Sequence, residues 1–173
     1  TGVLAAAISR AGDRAVITLD VTEQHVAQQR SEELLREVTT ILESTTAGIA
    51  YLRGNALVRC NRRFETMLGL PEAAAAGQDL DALFGHHPQA QRIAADTLQA
   101  LTEGAIYETE FDALVAGPQG QHRVWYSLSV RRAQAVGDQA EAVAVLSDIT
   151  RLKHQQAELE QLLRDRELMF NLS

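Results

Sequence analysis

The chain has 173 residues, of which 46% are apolar and 23% are charged, with a formal net charge of −7. This is the composition of one globular domain with attachments, and no apolar run reaches the ~18 residues that a membrane span needs. Nucleic-acid binding is disfavoured, because it requires a positive surface that neutralises phosphates.

The single cysteine, Cys60, excludes an internal disulfide and a multi-cysteine metal site. The first ten residues lack the basic-then-apolar order of a signal peptide, and the chain does not begin with methionine. We therefore expect a cytoplasmic fragment of a longer protein, without a metal site.

The N-terminal residues 1–20 are predicted to form a β-hairpin. Two β-prone runs, 3–9 and 15–19, flank a turn signal at 11–13. Because an isolated hairpin is marginal in water, we interpret it as the remnant of a preceding domain.

Residues 21–45 are predicted to be a linker helix. The segment from Asp20 to Glu23 resembles a capping box, which marks a helix start. Apolar residues then recur at coiled-coil spacing, with Ser31 as an interruption. This first apolar seam consists of Ala27, Leu34, Val38 and Ile41.

Residues 46–150 are predicted to form one compact domain of mixed strands and helices. A tight turn at 53–55, a cap at Asn61 and a helix stop at Gly104 punctuate it. Alternation of apolar and polar residues marks the later strands. The predicted strands are 48–52, 56–60, 107–113, 122–131 and 142–146, and the predicted helices are 62–68, 79–84 and 89–102.

Residues 151–173 are predicted to be an output helix that leads to a following domain. Leu152, Leu159, Leu162 and Met169 keep three–four spacing. This second apolar seam is weaker than a stable zipper, because Gln155 and Arg166 also lie on it.

One short repeat indicates tandem modules. Residues 19–22, Leu-Asp-Val-Thr, resemble residues 147–150, Ser-Asp-Ile-Thr, at an offset of 128 residues. Each Asp-x-Thr follows an apolar run and opens a helix that carries a seam. The repeat predicts the tail of one module, one whole module and a helix that leads to a third.

The motifs of residues 46–150 together resemble the PAS, or sensory box, family. They are Gly48-Ile49, Asn61-Arg62-Arg63-Phe64, residues 107–111, Arg123-Val124-Trp125 and Asp148-Ile149-Thr150. The resemblance implies an α+β fold, with a five-stranded antiparallel sheet and helices on one face. It also implies a repeat of a bacterial multidomain sensor in two-component or cyclic-di-GMP signalling. The histidine-kinase or GGDEF/EAL output would lie outside this fragment.

Two cofactors known in this family are weighed against the residues present. The light-sensing branch uses a cysteine that attacks flavin, and Arg62 stands at the matching position, so a flavin adduct is disfavoured. Haem-binding relatives use a histidine near the long helix, where this chain has His86 and His87. A solvated loop is the favoured interpretation, with His87 kept as the alternative haem ligand.

A ligand pocket is the third possibility that the resemblance implies. It would lie between the sheet and the helices, and the alternative is a packed core without ligand. The cofactor is therefore predicted to be none or an unknown small molecule. The candidate pocket residues are Tyr51, Phe64, Ile93, Tyr107, Arg123 and Tyr126.

The junction Asp148, Ile149 and Thr150 is the preferred functional site. A carboxylate at this position can accept hydrogen bonds from the free N–H groups of the helix start. The sequence shows no nucleophile–base pair, phosphate loop or metal-ligand spacing, so we expect no enzyme activity.

The predicted function is a sensory and dimerisation module that passes a signal through this junction. The alternatives are a structural spacer without ligand and a haem-based redox or gas sensor. The predicted partners are a second copy, in a parallel homodimer through the two seams, and adjacent domains of the same polypeptide.

Overall fold

The computed structural model describes residues 2–84, 87–133 and 140–172, with the backbone alone for residues 2–20. The chain forms two compact units, Thr1–Ser44 and Thr45–Ser173. Within the described ranges, neither unit contains a helix that is long and apolar enough to cross a membrane.

The first unit is one helix, α1 (Gly2–Ser44). A helix is therefore present where residues 21–45 predicted one, but it also covers residues 2–20, and the hairpin predicted there is wrong. The physical reason is local: residues 5–7 are alanines, the strongest helix formers. A helix satisfies its backbone hydrogen bonds within itself, whereas a lone hairpin leaves both outer edges unpaired.

The second unit has a five-stranded antiparallel sheet, in the order β2-β1-β5-β4-β3. The predicted α+β fold is confirmed. The strands are β1 (Gly48–Arg53), β2 (Ala56–Cys60), β3 (Tyr107–Gly117), β4 (Gly120–Arg132) and β5 (Glu141–Asp148). The helices are α2 (Arg62–Met67), α3 (Leu80–Leu83), α4 (Ala90–Glu103) and α5 (Thr150–Leu172).

One face of the sheet, the inner face, packs against α2, α3 and α4. Alternate strand residues point into this layer, as the period of two requires. Leu52, Leu128 and Leu146 are each at most 1% exposed there, and Phe84 and Phe111 meet edge to face at 5.9 Å. The buried helix residues of the same core are Phe64, Met67, Leu80, Leu83, Ala90, Ile93, Ala94 and Leu101.

Two close contacts set the position of α2 on the sheet. Asn61 caps the helix, since its side-chain oxygen accepts a hydrogen bond from Phe64 N at 3.0 Å. Gly48 lies against the helix so closely that an added Cβ would be 2.8 Å from Phe64 Cα. Glycine at this position therefore lets β1 and α2 pack in direct backbone contact.

The strands β3 and β4 are longer than predicted. Their antiparallel pairing continues to the pair Gly117 and Gly120, so only two residues form the turn. A two-residue connection keeps both strands in register to their ends, which sequence alternation alone does not indicate.

Candidate functional site

The site is the junction at which β5 ends and α5 begins. Asp148 Oδ1 accepts hydrogen bonds from Thr150 N at 2.9 Å and from the Thr150 hydroxyl at 2.6 Å. The carboxylate therefore satisfies the first N–H group of α5, which has no partner within the helix itself. This is the contact that the Asp-x-Thr pattern predicts.

Trp125 on β4 holds the same junction from the neighbouring strand. Trp125 N donates to the Thr150 hydroxyl at 3.0 Å, and Ile149 N donates to Trp125 O at 2.8 Å. Both backbone groups of one residue thus bind the start of α5. The sequence reasoning did not assign this role to Trp125, because the contact joins residues 25 positions apart.

The start of α5 also contacts the second face of the sheet, the outer face. Lys153 forms an ion pair with Glu110, and its ammonium lies 5.2 Å from the centre of the Trp125 ring. A cation over an indole face is attracted by the ring quadrupole. The first turns of α5 are therefore fixed on strands β3 and β4.

The incoming segment, residues 45–47, lies beside the outgoing junction. Asn61 Nδ2 donates to Ala47 O at 3.1 Å and to Thr45 Oγ1 at 3.4 Å, while Arg63 Nε donates to Thr46 O at 3.2 Å. Asn61 Oδ1 also accepts from Ile49 N at 2.9 Å. One end of α2 therefore holds the segment through which the chain enters the domain.

A groove of about 650 Å³ separates the incoming segment from the outgoing junction. Arg63 and Asp148 both line it, and burial and then the charge of Asp148 raise the pKa of Tyr126, while Arg63 opposes this. The lining residues are Thr46, Ala47, Arg63, Ser147, Asp148, Thr150, Arg151, His154, Gln155 and Glu158.

The predicted ligand pocket is only partly assembled. Phe64, Ile93 and Tyr126 meet in the core, at 1%, 2% and 4% exposure. The Tyr126 hydroxyl donates to Met67 O at 3.0 Å, which satisfies its hydrogen-bonding requirement within the protein. Tyr107 packs at the edge of this core, and burial raises its pKa.

Two of the predicted pocket residues, Tyr51 and Arg123, lie on the outer face, so their assignment to the pocket is corrected. On β1 the buried residues are Ala50 and Leu52, which places Tyr51 on the opposite side of the strand. Arg123 forms an ion pair with Asp112 at 3.2 Å, on the face that Trp125 shares. Side chains of neighbouring strand positions point to opposite faces, so neither residue can reach the core.

Tyr51 belongs instead to a polar cluster on the outer face. Glu141 is 5% exposed and accepts hydrogen bonds from Arg53 at 3.0 and 3.2 Å. Chiefly because the Tyr51 hydroxyl also donates to it, the pKa of the Glu141 carboxyl is lowered, and that of Tyr51 is raised.

This cluster predicts an acid-dependent part of the stability. Because the pKa of Glu141 is lower when folded, its contribution is present above the ordinary value of 4.5 and is lost as the pH falls through the lowered value. We expect Glu141→Gln to flatten the fall in melting temperature between about pH 5 and pH 3. Thermal melts across this range test this, with the exposed Glu160→Gln as the control. Parallel curves for wild type and Glu141→Gln would contradict the assignment.

His87 does not fit the alternative role of a haem ligand. Its Nδ1 accepts a hydrogen bond from Gln89 N at 3.1 Å, so the proton resides on Nε2, which donates to Asp112 O at 2.7 Å. The ring also packs on Phe111 at 4.9 Å between centroids. Both nitrogens are thus engaged in holding the start of α4 against β3. His86, the second histidine of this loop, lies outside the described residues.

Comparison with known proteins identifies the fold. A family model described as the PAS fold matches residues 42–154. The PAS domain of an HTR-like protein from Haloarcula marismortui is 19% identical, with 72% of this chain and 99% of that chain covered and a TM-score of 0.52. The PAS domain of BvgS from Bordetella pertussis is 14% identical, with 77% and 98% covered and a TM-score of 0.53. A search of curated proteins finds no match.

Proposed function

The chain belongs to the PAS family, and from this premise we propose that residues 46–150 are a non-enzymatic sensory module that transmits a change to α5. The observation that carries this proposal is the attachment of the α5 start. Asp148, Trp125 and Lys153 hold it to β5, β4 and the outer face. Any rearrangement of the sheet therefore moves the helix that leaves the domain.

Replacing Asp148 by alanine tests this role. A side-chain cap contributes on the order of 1 kcal/mol, so Asp148→Ala should lower the melting temperature only slightly. The same energy is comparable with the roughly 1–3 kcal/mol of allosteric coupling, so basal output or response in the complete protein should change. Output assays of the complete protein and thermal melts of this chain measure the two effects. Asp165→Ala, on the exposed part of α5, is the matched control.

If the complete Asp148→Ala protein signals like wild type across the range of stimulus, the junction is only a helix cap. A large loss of stability in the isolated chain would also contradict the proposal, because it would assign Asp148 to the fold.

We further propose that the module works as a parallel homodimer through α1 and α5. Both helices carry apolar residues that the described part of one chain leaves uncovered, and water contact of such a seam is unfavourable. The interruptions Ser31 and Arg166 keep the association weak. The exposed seam residues are Leu34, Val38 and Ile41 on α1, and Leu152, Leu159, Leu162 and Met169 on α5.

A charge placed on the seam tests the dimer. Leu162 is 66% exposed, so Leu162→Glu should leave the fold intact but raise the dimer dissociation constant at least about tenfold. The control Ala157→Glu adds the same charge on the opposite side of α5. Sedimentation equilibrium measures the dissociation constants of both variants. A wild-type chain that stays monomeric at high concentration would contradict the proposed dimer.

A ligand-responsive form of the module is the second candidate. The observation that favours it is Thr97 on α4, whose hydroxyl is buried and has no partner among the described residues. A small polar ligand in the core would satisfy it, since buried polar groups are generally hydrogen-bonded. Native mass spectrometry of the protein purified from cells separates this form from a ligand-free spacer.

The neighbouring modules, the location and the output domain of the complete protein are proposed as well. Asp20-Val21-Thr22 lies inside α1 and not at a helix start, so its similarity to Asp148-Ile149-Thr150 is one of sequence alone, and on that similarity we propose a tandem arrangement with neighbouring modules. We place the module in the cytoplasm, in a protein whose output is of the histidine-kinase or GGDEF/EAL type.

A further inference from the structure

Arg63 lies between the point where the chain enters the domain and the point where it leaves. Its Nε donates to Thr46 O at 3.2 Å. Among the described residues, no hydrogen bond or ion pair engages its two terminal nitrogens. The charged end of Arg63 therefore has hydrogen-bonding capacity left over at the rim of the groove.

Asp148, on the other side of the groove, can accept a further hydrogen bond. Its Oδ1 takes both hydrogen bonds from Thr150, and in the described part of the chain no partner binds its Oδ2. Arg63 and Asp148 act with opposite sign on Tyr126, so both charges lie near the same hydroxyl. They line one groove without forming an ion pair in the described arrangement.

We propose that Arg63 is a positioning residue that couples the incoming segment to the outgoing helix by exchanging its partner. While residues 45–47 are held by Asn61, Arg63 binds Thr46 O. When that segment moves away, Arg63 turns to the Asp148 carboxylate. A salt bridge joins two full charges, whereas each Thr150 hydrogen bond joins the carboxylate to a neutral donor, so Arg63 draws the carboxylate toward the groove and weakens its contacts with Thr150 at the start of α5.

This exchange deepens the proposed function but does not depend on a ligand in the core. It gives the domain an input from the preceding helix, through a path that consists of Thr46, Arg63, Asp148 and Thr150. The path requires only that the groove lined by Arg63 and Asp148 can close.

The rate of amide hydrogen exchange at Thr150 tests whether Arg63 changes its partner, and the test needs only this chain. Asn61→Ser keeps a side-chain oxygen that can cap α2 but is too short to reach Ala47 O, so it releases the incoming segment. We expect the Thr150 amide to exchange about threefold to tenfold faster in Asn61→Ser, and Arg63→Gln added to it to restore the wild-type rate. Arg59→Gln, an exposed charge on β2, is the matched control and should restore nothing.

Two results would overturn the proposal. The Thr150 amide could exchange at the wild-type rate in Asn61→Ser, or it could stay fast when Arg63→Gln is added. Should Asn61→Ser fail to fold, Thr45→Ala releases one contact of the same segment and gives the same comparison. Failure here leaves the sensory role standing, since that role is decided by the output of Asp148→Ala.

A double-mutant cycle gives an independent readout. Asp148→Asn keeps an oxygen for Thr150 but removes the charge that Arg63 would bind. Urea unfolding measures the equilibrium constant of unfolding for Arg63→Gln, for Asp148→Asn and for both together. In the wild-type background the effects of the two substitutions should multiply independently. In the Asn61→Ser background the constant of the double variant should differ from that product by about threefold or more. Additivity in both backgrounds would refute the exchange, and equal non-additivity in both would show a permanent pair instead.

Discussion

Asn61→Ala is expected to lower the free energy of unfolding by about 2–4 kcal/mol, because it removes the hydrogen-bond partner of one buried and two half-buried backbone groups. Asn61 is 4% exposed and binds Ile49 N, Phe64 N and Ala47 O. Alanine removes the cap of α2 and also the hydrogen bond to Ala47 O that holds the incoming segment, which we call the clamp. Urea or thermal unfolding of this chain measures the loss.

Two variants sharpen the Asn61 experiment. Asn61→Ser should retain part of the stability, because serine is as good a helix cap as asparagine. Asn171→Ala, at an exposed position of α5, should change the stability by less than about 0.5 kcal/mol. Equal losses for the alanine and serine variants would show that the clamp, and not the cap, carries the energy. A loss below about 1 kcal/mol for Asn61→Ala would contradict the network as described.

Phe64→Ala is expected to lower the free energy of unfolding by about 3–5 kcal/mol, the range for a buried phenylalanine. The side chain is 1% exposed, and its backbone lies directly against Gly48. The helix α2 cannot move inward to fill the cavity, because Gly48 already contacts its backbone. Chemical unfolding gives the value, and a loss under about 2 kcal/mol would mean that the site collapses after all.

The matched control for Phe64→Ala is the same substitution on the surface. Phe170 is 70% exposed on α5, so Phe170→Ala should change the stability by less than about 0.5 kcal/mol. A comparable loss in the two variants would attribute the effect to the amino-acid type and not to burial.

The sheet was predictable because its strands carry a clear alternation. In β4, Val124, Tyr126 and Leu128 alternate with polar or half-buried residues, and the structure buries the first set. The same alternation places Arg123 with Trp125 on the outer face, so its assignment to the pocket contradicted a signal already present in the sequence. Tyr51 offered no such signal, because it stands in an unbroken apolar run from Ile49 to Leu52.

The N-terminal error has a different cause. Residues 3–9 are small and apolar, and such short runs suit a strand or a helix equally well until their neighbours are known. The prediction assumed a partner sheet that this chain does not supply. Without it, alanine-rich backbone forms the structure that needs no partner.

Of the contacts at the candidate site, only the one between Asp148 and Thr150 was predictable from the sequence. Asp148 and Thr150 are two residues apart, so their contact can be inferred from a local capping pattern. The contacts of Trp125 with Thr150 and of Arg63 with Thr46 join positions far apart in the chain. Such contacts depend on strand order and register, which a single sequence does not contain.

The pairing of Gly48 with Leu146 means that the chain leaves the domain beside the point where it enters. A domain with adjacent ends can be inserted into a longer chain, duplicated or lost with little change in the separation of its flanking segments. A gene could therefore gain copies of residues 46–150 by simple duplication, each with its own Asp-x-Thr.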